Sequence, residues 1–126
     1  MTRKTEVGKI GEDLACQYLI ENGYKILKRN YREKFDEIDI IARSSEGTLI
    51  FCEVKTFSGE SNPRSGLIPE DNLTKAKFKK ISRACEMFVG KHQNLINEKM
   101  GWRMDCAAVV IDKNLGSHVI RYYENI

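Results

Sequence analysis

Glu37-Ile38-Asp39-Ile40-Ile41-Ala42 and Leu49-Ile50-Phe51-Cys52-Glu53-Val54-Lys55 flank a polar turn at Ser44, Ser45, Glu46 and Gly47. Both runs are rich in β-branched and aromatic residues. With a Gly-containing connection between them, they predict two antiparallel strands joined as a hairpin. Side chains on a strand alternate between faces. Asp39 is therefore expected to share a face with Glu37, and Glu53 with Lys55. These ionisable groups interrupt two of the most hydrophobic segments of the chain. Carboxylates and a lysine converging on one hairpin would make a hard-cation site with a base beside it. The same spacing also fits an exposed cross-strand salt bridge, which contributes little to stability.

The sequence on either side supplies the rest of the fold. A helix is expected from about Glu6 to Asn22, because Val7, Ile10, Leu14 and Tyr18 recur at helical spacing. Gly11 and Ala15 on the same side allow close packing against a sheet. Asn22-Gly23 reads as its stop. Glu12 lies at the flank of the apolar stripe and, taken alone, reads as a solvated edge residue. A first strand is expected over Tyr24–Asn30, then the hairpin strands Glu37–Ala42 and Thr48–Lys55 as a meander with the Glu53 strand central. Phe57 to Asn72 holds both prolines, Pro63 and Pro69, and reads as a long loop leaving the sheet beside the charged residues. Asp71 or Asn72 could cap a second helix from Leu73 to about Val89, with Phe78, Ile81, Cys85 and Phe88 as its apolar stripe and Gly90 as its end. Arg103–Asp112 reads as a buried strand, parallel to an earlier one through a right-handed crossover. After a turn at Asn114-Leu115-Gly116-Ser117, His118–Tyr123 reads as an edge strand. The order α-β-β-β-α-β-β predicts an α/β sandwich around a mixed sheet.

The chain has 126 residues, enough for a single domain spanning 1–126 with a real core. No apolar run approaches a bilayer span, and no apolar signal region follows the basic N-terminus. A cytoplasmic protein with no membrane association is expected. Cys16, Cys52, Cys85 and Cys106 are scattered with no C-x-x-C pair, so buried free thiols are expected rather than zinc.

The net charge of +3 is unevenly placed, with Tyr24–Lys34 carrying +4 and Leu73–Lys91 carrying +5. The remainder is acidic. Basic segments opposite an acidic site point to a polyanion such as DNA, with Arg29, Arg32, Lys75, Lys77, Lys79 and Arg83 as candidate phosphate contacts. A solvated helix face accounts for the lysines equally well.

No Gly-rich nucleotide loop, no G-x-S-x-G elbow and no recognisable His–Cys or His–Ser pair occurs, which argues against nucleotide-binding folds and triad hydrolases. Carboxylate-plus-lysine chemistry remains. Asp39 and Glu53, on adjacent strands, would repel unless a cation or a proton lay between them. Magnesium fits, and manganese could replace it. A lysine at position 55 could take a proton only with a depressed pKa.

Asp39 followed by Glu53-Val54-Lys55 on the next strand resembles the PD-(D/E)xK nuclease superfamily. More closely, the chain resembles the YraN-like family of small bacterial proteins with a predicted endonuclease fold. The matching pieces are Gly11-Glu12 with Ala15, Tyr24-Lys25-Ile26-Leu27 leading to Arg29-Asn30-Tyr31-Arg32, and Glu37 to Ala42. Phe51 to Thr56, Lys77 with Ile81 and Ala84, and Arg103-Met104-Asp105 complete them. The resemblance implies a restriction-endonuclease-like three-layer sandwich related to archaeal Holliday-junction resolvases. It implies Asp39 and Glu53 as metal ligands, the Val54 carbonyl as an additional one, Lys55 as the catalytic lysine and Glu12 as a helix-borne acid. Glu37 matches an extra acid whose role is less defined. Asp36, Cys52 and Phe57 depart from the usual Gly, Val and Arg, and none of these changes removes an implied ligand. The expected activity is magnesium-dependent hydrolysis of DNA, on branched or recombination intermediates, where cutting a junction would need a homodimer. The alternative is a nuclease-fold DNA-binding accessory protein with little or no catalysis.

Overall fold

The computed structural model describes residues 5–34, 36–58, 75–112 and 114–126. Its elements are α1 (Glu6–Glu21), β1 (Lys25–Arg32), β2 (Glu37–Arg43), β3 (Leu49–Ser58), α2 (Lys75–Lys91), a short 3-10 turn (Gln93–Leu95), β4 (Trp102–Asp112) and β5 (Ser117–Tyr123). The expected order α-β-β-β-α-β-β is observed. The strands form one sheet in the order β1-β2-β3-β4-β5. β1, β2 and β3 pair antiparallel, β3 and β4 parallel, and β4 and β5 antiparallel.

The central position of β3 follows from its composition. Leu49 to Glu53 is buried throughout. Ile50 and Cys52 pack with Ala15, Cys16 and Leu19 of α1, while Leu49 and Phe51 pack with Ile81, Cys85 and Phe88 of α2. The alternation along one strand thus feeds two cores, one under each helix. A three-layer α/β sandwich results.

α1 starts where Thr5 caps it, its hydroxyl accepting from Gly8 N at 3.0 Å. Past its cap at Asn22, Gly23 takes the left-handed region at φ +88° and turns the chain away. Gly11 is required by contact: a Cβ there would meet the Thr56 hydroxyl at 2.0 Å. The helix backbone at Gly11 therefore lies directly on the Thr56 side chain of β3. The β2–β3 turn needs Gly47, at φ +100°, to bring its N–H to the Ser44 carbonyl at 3.0 Å.

Among the described residues, three boundaries differ from expectation by two residues or more. β1 runs on to Arg32 because its pairing with β2 continues to Arg32↔Glu37. β3 runs to Ser58 because β4 pairs with it that far. α2 passes through Gly90 to Lys91, and His92 N then bonds the Phe88 carbonyl at 3.0 Å. One glycine does not stop a helix whose next residues still find carbonyl partners. The expected cap at Asp71 or Asn72 and most of the expected loop lie outside the described residues. All four cysteines are buried free thiols.

Candidate functional site

Both hairpin acids owe their positions to an interruption of the sheet. The β2–β3 ladder runs from Arg43↔Leu49 to Ile40↔Cys52. Beyond it the Asp39 carboxylate takes over, its Oδ2 accepting from Val54 N at 2.8 Å. A side chain replaces a backbone carbonyl, and the strands are held together while their ends open. Residue faces change at the same level. Ile40 packs on the α1 side and Ile38 on the α2 side, although strict alternation would put both on one face. The change falls at Asp39. On the neighbouring strand it is matched between Arg29 and Tyr31, which pair with Ile40 and Ile38. The residue between them, Asn30, has φ +52°.

The opened strands leave a cavity of about 290 Å³ whose walls include Glu12, Asp39, Glu53, Lys55 and Lys77. Glu12 comes from α1, Asp39 from β2, Glu53 and Lys55 from β3, and Lys77 from α2. Asp39 and Glu53 thus meet in one cavity, and neither is an exposed salt-bridge partner: they are 7% and 9% exposed. Glu12, at 2%, is also buried, so it is not a solvated edge residue. Its Oε1 accepts from Arg29 Nε at 3.1 Å and from Asn30 Nδ2 at 2.9 Å. Those bonds offset the cost of burying it.

Glu53 has the least comfortable surroundings. Its Oε2 is buried and has no hydrogen-bond partner among the described residues. Burial, and then the neighbouring Asp39 carboxylate, push its pKa up to about 9. Two buried carboxylates share one space, and one holds a proton unless a cation takes its place. Burial and the adjoining Lys77 lower the pKa of Lys55. Lys77 moves the other way, raised chiefly by its hydrogen bond with Lys55.

A divalent cation suits this donor set, because an orphaned buried carboxylate oxygen beside a second carboxylate is what such an ion would satisfy. Among the described residues no three His, Cys, Asp or Glu side chains are gathered closely enough to enclose an ion by themselves. Magnesium, which keeps several waters and takes only one or two carboxylates, needs no such cage.

The remaining expected residues lie elsewhere. Glu37 does not line the cavity and pairs with Arg32 at 3.7 Å. Arg29 turns inward to Glu12 and also bonds Asp13 at 2.6 Å. Lys75, Lys79 and Arg83 are exposed along α2. Lys77 shares their basic run and also belongs to the family match with Ile81 and Ala84, and packing is what places it on the cavity wall. A polar cluster without an assigned role also emerges. Asp105 is fully buried, accepting from Arg103 Nε at 2.9 Å, Tyr122 OH at 2.5 Å and Asn125 N at 2.9 Å. The Arg103-x-Asp105 spacing was its only trace in the sequence.

Residues 11–109 match the model of the Uncharacterised protein family UPF0102. The chain is similar to a UPF0102 protein of Corynebacterium efficiens, 33% identical over 99% of this chain and 94% of the relative. A UPF0102 protein of Caldicellulosiruptor bescii is 37% identical over 85% of this chain and 84% of its own length. One from Campylobacter concisus is 44% identical over 68% and 71%.

Proposed function

The chain belongs to the UPF0102 family, and we propose that it is a metal-dependent nuclease hydrolysing DNA phosphodiester bonds. The observation that carries this reading is Glu53 Oε2, buried without a hydrogen-bond partner among the described residues in the cavity that Asp39 and Lys55 also line. An acid on β2 followed by acid-x-Lys on β3, at the point where two strands part, supports placing the chain in the PD-(D/E)xK superfamily. Its sandwich would then be of the restriction-endonuclease-like kind.

Asp39 and Glu53 are the residues that would hold the ion. A bound magnesium would polarise the phosphate and lower the pKa of its water. The chain's own groups do the rest. Lys55, its ammonium form destabilised by burial, takes a proton from the attacking water. The water oxygen bonds to phosphorus as the bond to the leaving sugar oxygen breaks. Lys77 keeps its proton and offsets the phosphate charge. Glu12 adds a fixed negative wall. Symmetric cutting of a branched intermediate takes two such cavities, hence a homodimer, and a cytoplasmic setting would keep the four thiols reduced.

A DNA-binding accessory role is the second reading, favoured by the lack of a three-ligand cage among the described residues. Cleavage separates the two. Wild type, Asp39→Ala and Lys55→Ala are incubated with plasmid, linear, single-stranded and four-way-junction DNA, with magnesium or manganese. Cutting by wild type alone is expected. Equal cutting by all three would mean a contaminating nuclease and would sink the assignment. Salt-sensitive binding without cutting would establish the accessory role.

A further inference from the structure

Asn30 is the only non-glycine residue within a described helix or strand with positive φ, at +52°. It stands inside β1, between the pairs Arg29↔Ile40 and Tyr31↔Ile38. A left-handed residue within a strand is unfavourable, though Asn tolerates it better than most. Strain of this kind persists where the surrounding structure fixes it, often at functional sites.

Two features of the cavity depend on this residue. Its amide donates to Glu12 Oε1 at 2.9 Å, reaching the same carboxylate oxygen as Arg29 although the two are consecutive along a strand. Regular alternation would point one of them away. The left-handed turn brings both to the same acid. It also coincides with the level at which β2 changes faces, where Asp39 leaves the ladder and takes Val54 N.

We propose that Asn30 is a positioning residue of the cation site, its left-handed backbone holding Glu12 against the cavity and setting the change of face that delivers Asp39. This rests on the nuclease reading above. Asn30 touches neither substrate nor ion. It acts through two acids from different elements, and its effect is read in cation affinity.

Manganese alone is the probe, titrated calorimetrically into wild type, Asn30→Gly, Glu12→Gln and the double variant, with melting followed in parallel. Glycine keeps the left-handed backbone but removes the amide. Asn30→Gly is expected to melt near wild type and bind manganese about 10-fold more weakly, the scale of losing a partner that orients a ligand. Glu12→Gln should lose a similar factor, and the double variant little more than either, because the Asn30 amide acts only by orienting the charge that Glu12→Gln removes. Asn30→Ala, which strains the backbone as well, should lose the same affinity and also melt lower. Should Asn30→Gly melt far below wild type, Asn30→Asp, of the same shape but repelling Glu12, gives the reading instead, with a larger loss expected. Unchanged affinity in the folded Asn30 variant, with affinity lost in Glu12→Gln, overturns the role of Asn30 and leaves the nuclease reading standing. Unchanged affinity in Glu12→Gln overturns it too, leaving a site of Asp39 and Glu53. A wild type that binds no manganese overturns both.

Discussion

Glu53 carries a carboxylate oxygen into the interior where no described donor meets it. Its pKa stands near 9, against an ordinary 4.5, because burial and Asp39 disfavour its charge. Between those values the folded chain binds more protons than the unfolded chain, so stability falls as pH rises. This contribution of the metal-free protein is fully present below about pH 4.5 and is lost as pH climbs through about 9. Glu53→Gln removes the titration. The variant should match wild type at about pH 5 and exceed it on the order of 2 kcal/mol or more at about pH 9, measured by denaturant unfolding in chelator. Parallel curves across that range would show that Glu53 titrates normally. Glu53 and Asp39 were legible as candidates because charge interrupts apolar runs. Glu12 entered the set only through the family resemblance, because a helical wheel records angle but not the depth of the sheet beneath it. The place of Lys77 beside Lys55 was not legible, because helical spacing alone does not separate it from Lys75 and Lys79.

The elements follow their local signals closely, since apolar periodicity, Thr5, Gly23 and Gly47 each act within a few residues. The contact between α1 and β3 adds a requirement across the sheet. Gly11 leaves no room for a Cβ, and the obstruction is the Thr56 side chain, β-branched and held in a strand. Gly11→Ala should destabilise the protein by about 1–3 kcal/mol, the usual cost of overpacking. The double variant Gly11→Ala/Thr56→Gly should recover part of the loss, read as a rise in melting temperature. A single variant as stable as wild type would show that helix and strand separate freely. The face change at Asn30 and Asp39 had no local signal, because alternation was read as strict and neither residue announces a left-handed turn within a strand.

At the scale of the molecule, four elements converge on one cavity, which belongs to no single one of them. Lys75, Lys79 and Arg83 are exposed on the helix that carries Lys77 to its wall. If DNA reaches the cavity along α2, changing all three to Gln should weaken binding at low salt. It should also reduce the slope of log affinity against log salt by about 2–3, near one per phosphate contact. An unchanged slope would make them a solvated face. Opposite that helix, Arg103 bonds Asp105 and, at 2.9 Å, the Tyr24 hydroxyl, while Asp105 receives Asn125 N. Buried Asp105 and its half-buried partner Arg103 thus join β4 to the residue before β1 and to the C-terminal residues. No helix among the described residues is long and apolar enough to cross a membrane.

By itself the sequence determined the order of elements, the central place of β3, a parallel pairing for the strand after α2 and the two hairpin acids. These rest on periodicity, turn chemistry and composition, which act over short distances along the chain. Tertiary structure alone decided that Glu12 is buried, that Lys77 joins Lys55 while Glu37 stays outside, and that Asn30 binds the acid of another element. The physical reason is that these depend on where separate elements cross and how closely they pack. A Cβ missing at Gly11 and a ladder that stops at Ile40 set those distances, and neither effect appears until the sheet and helices are together.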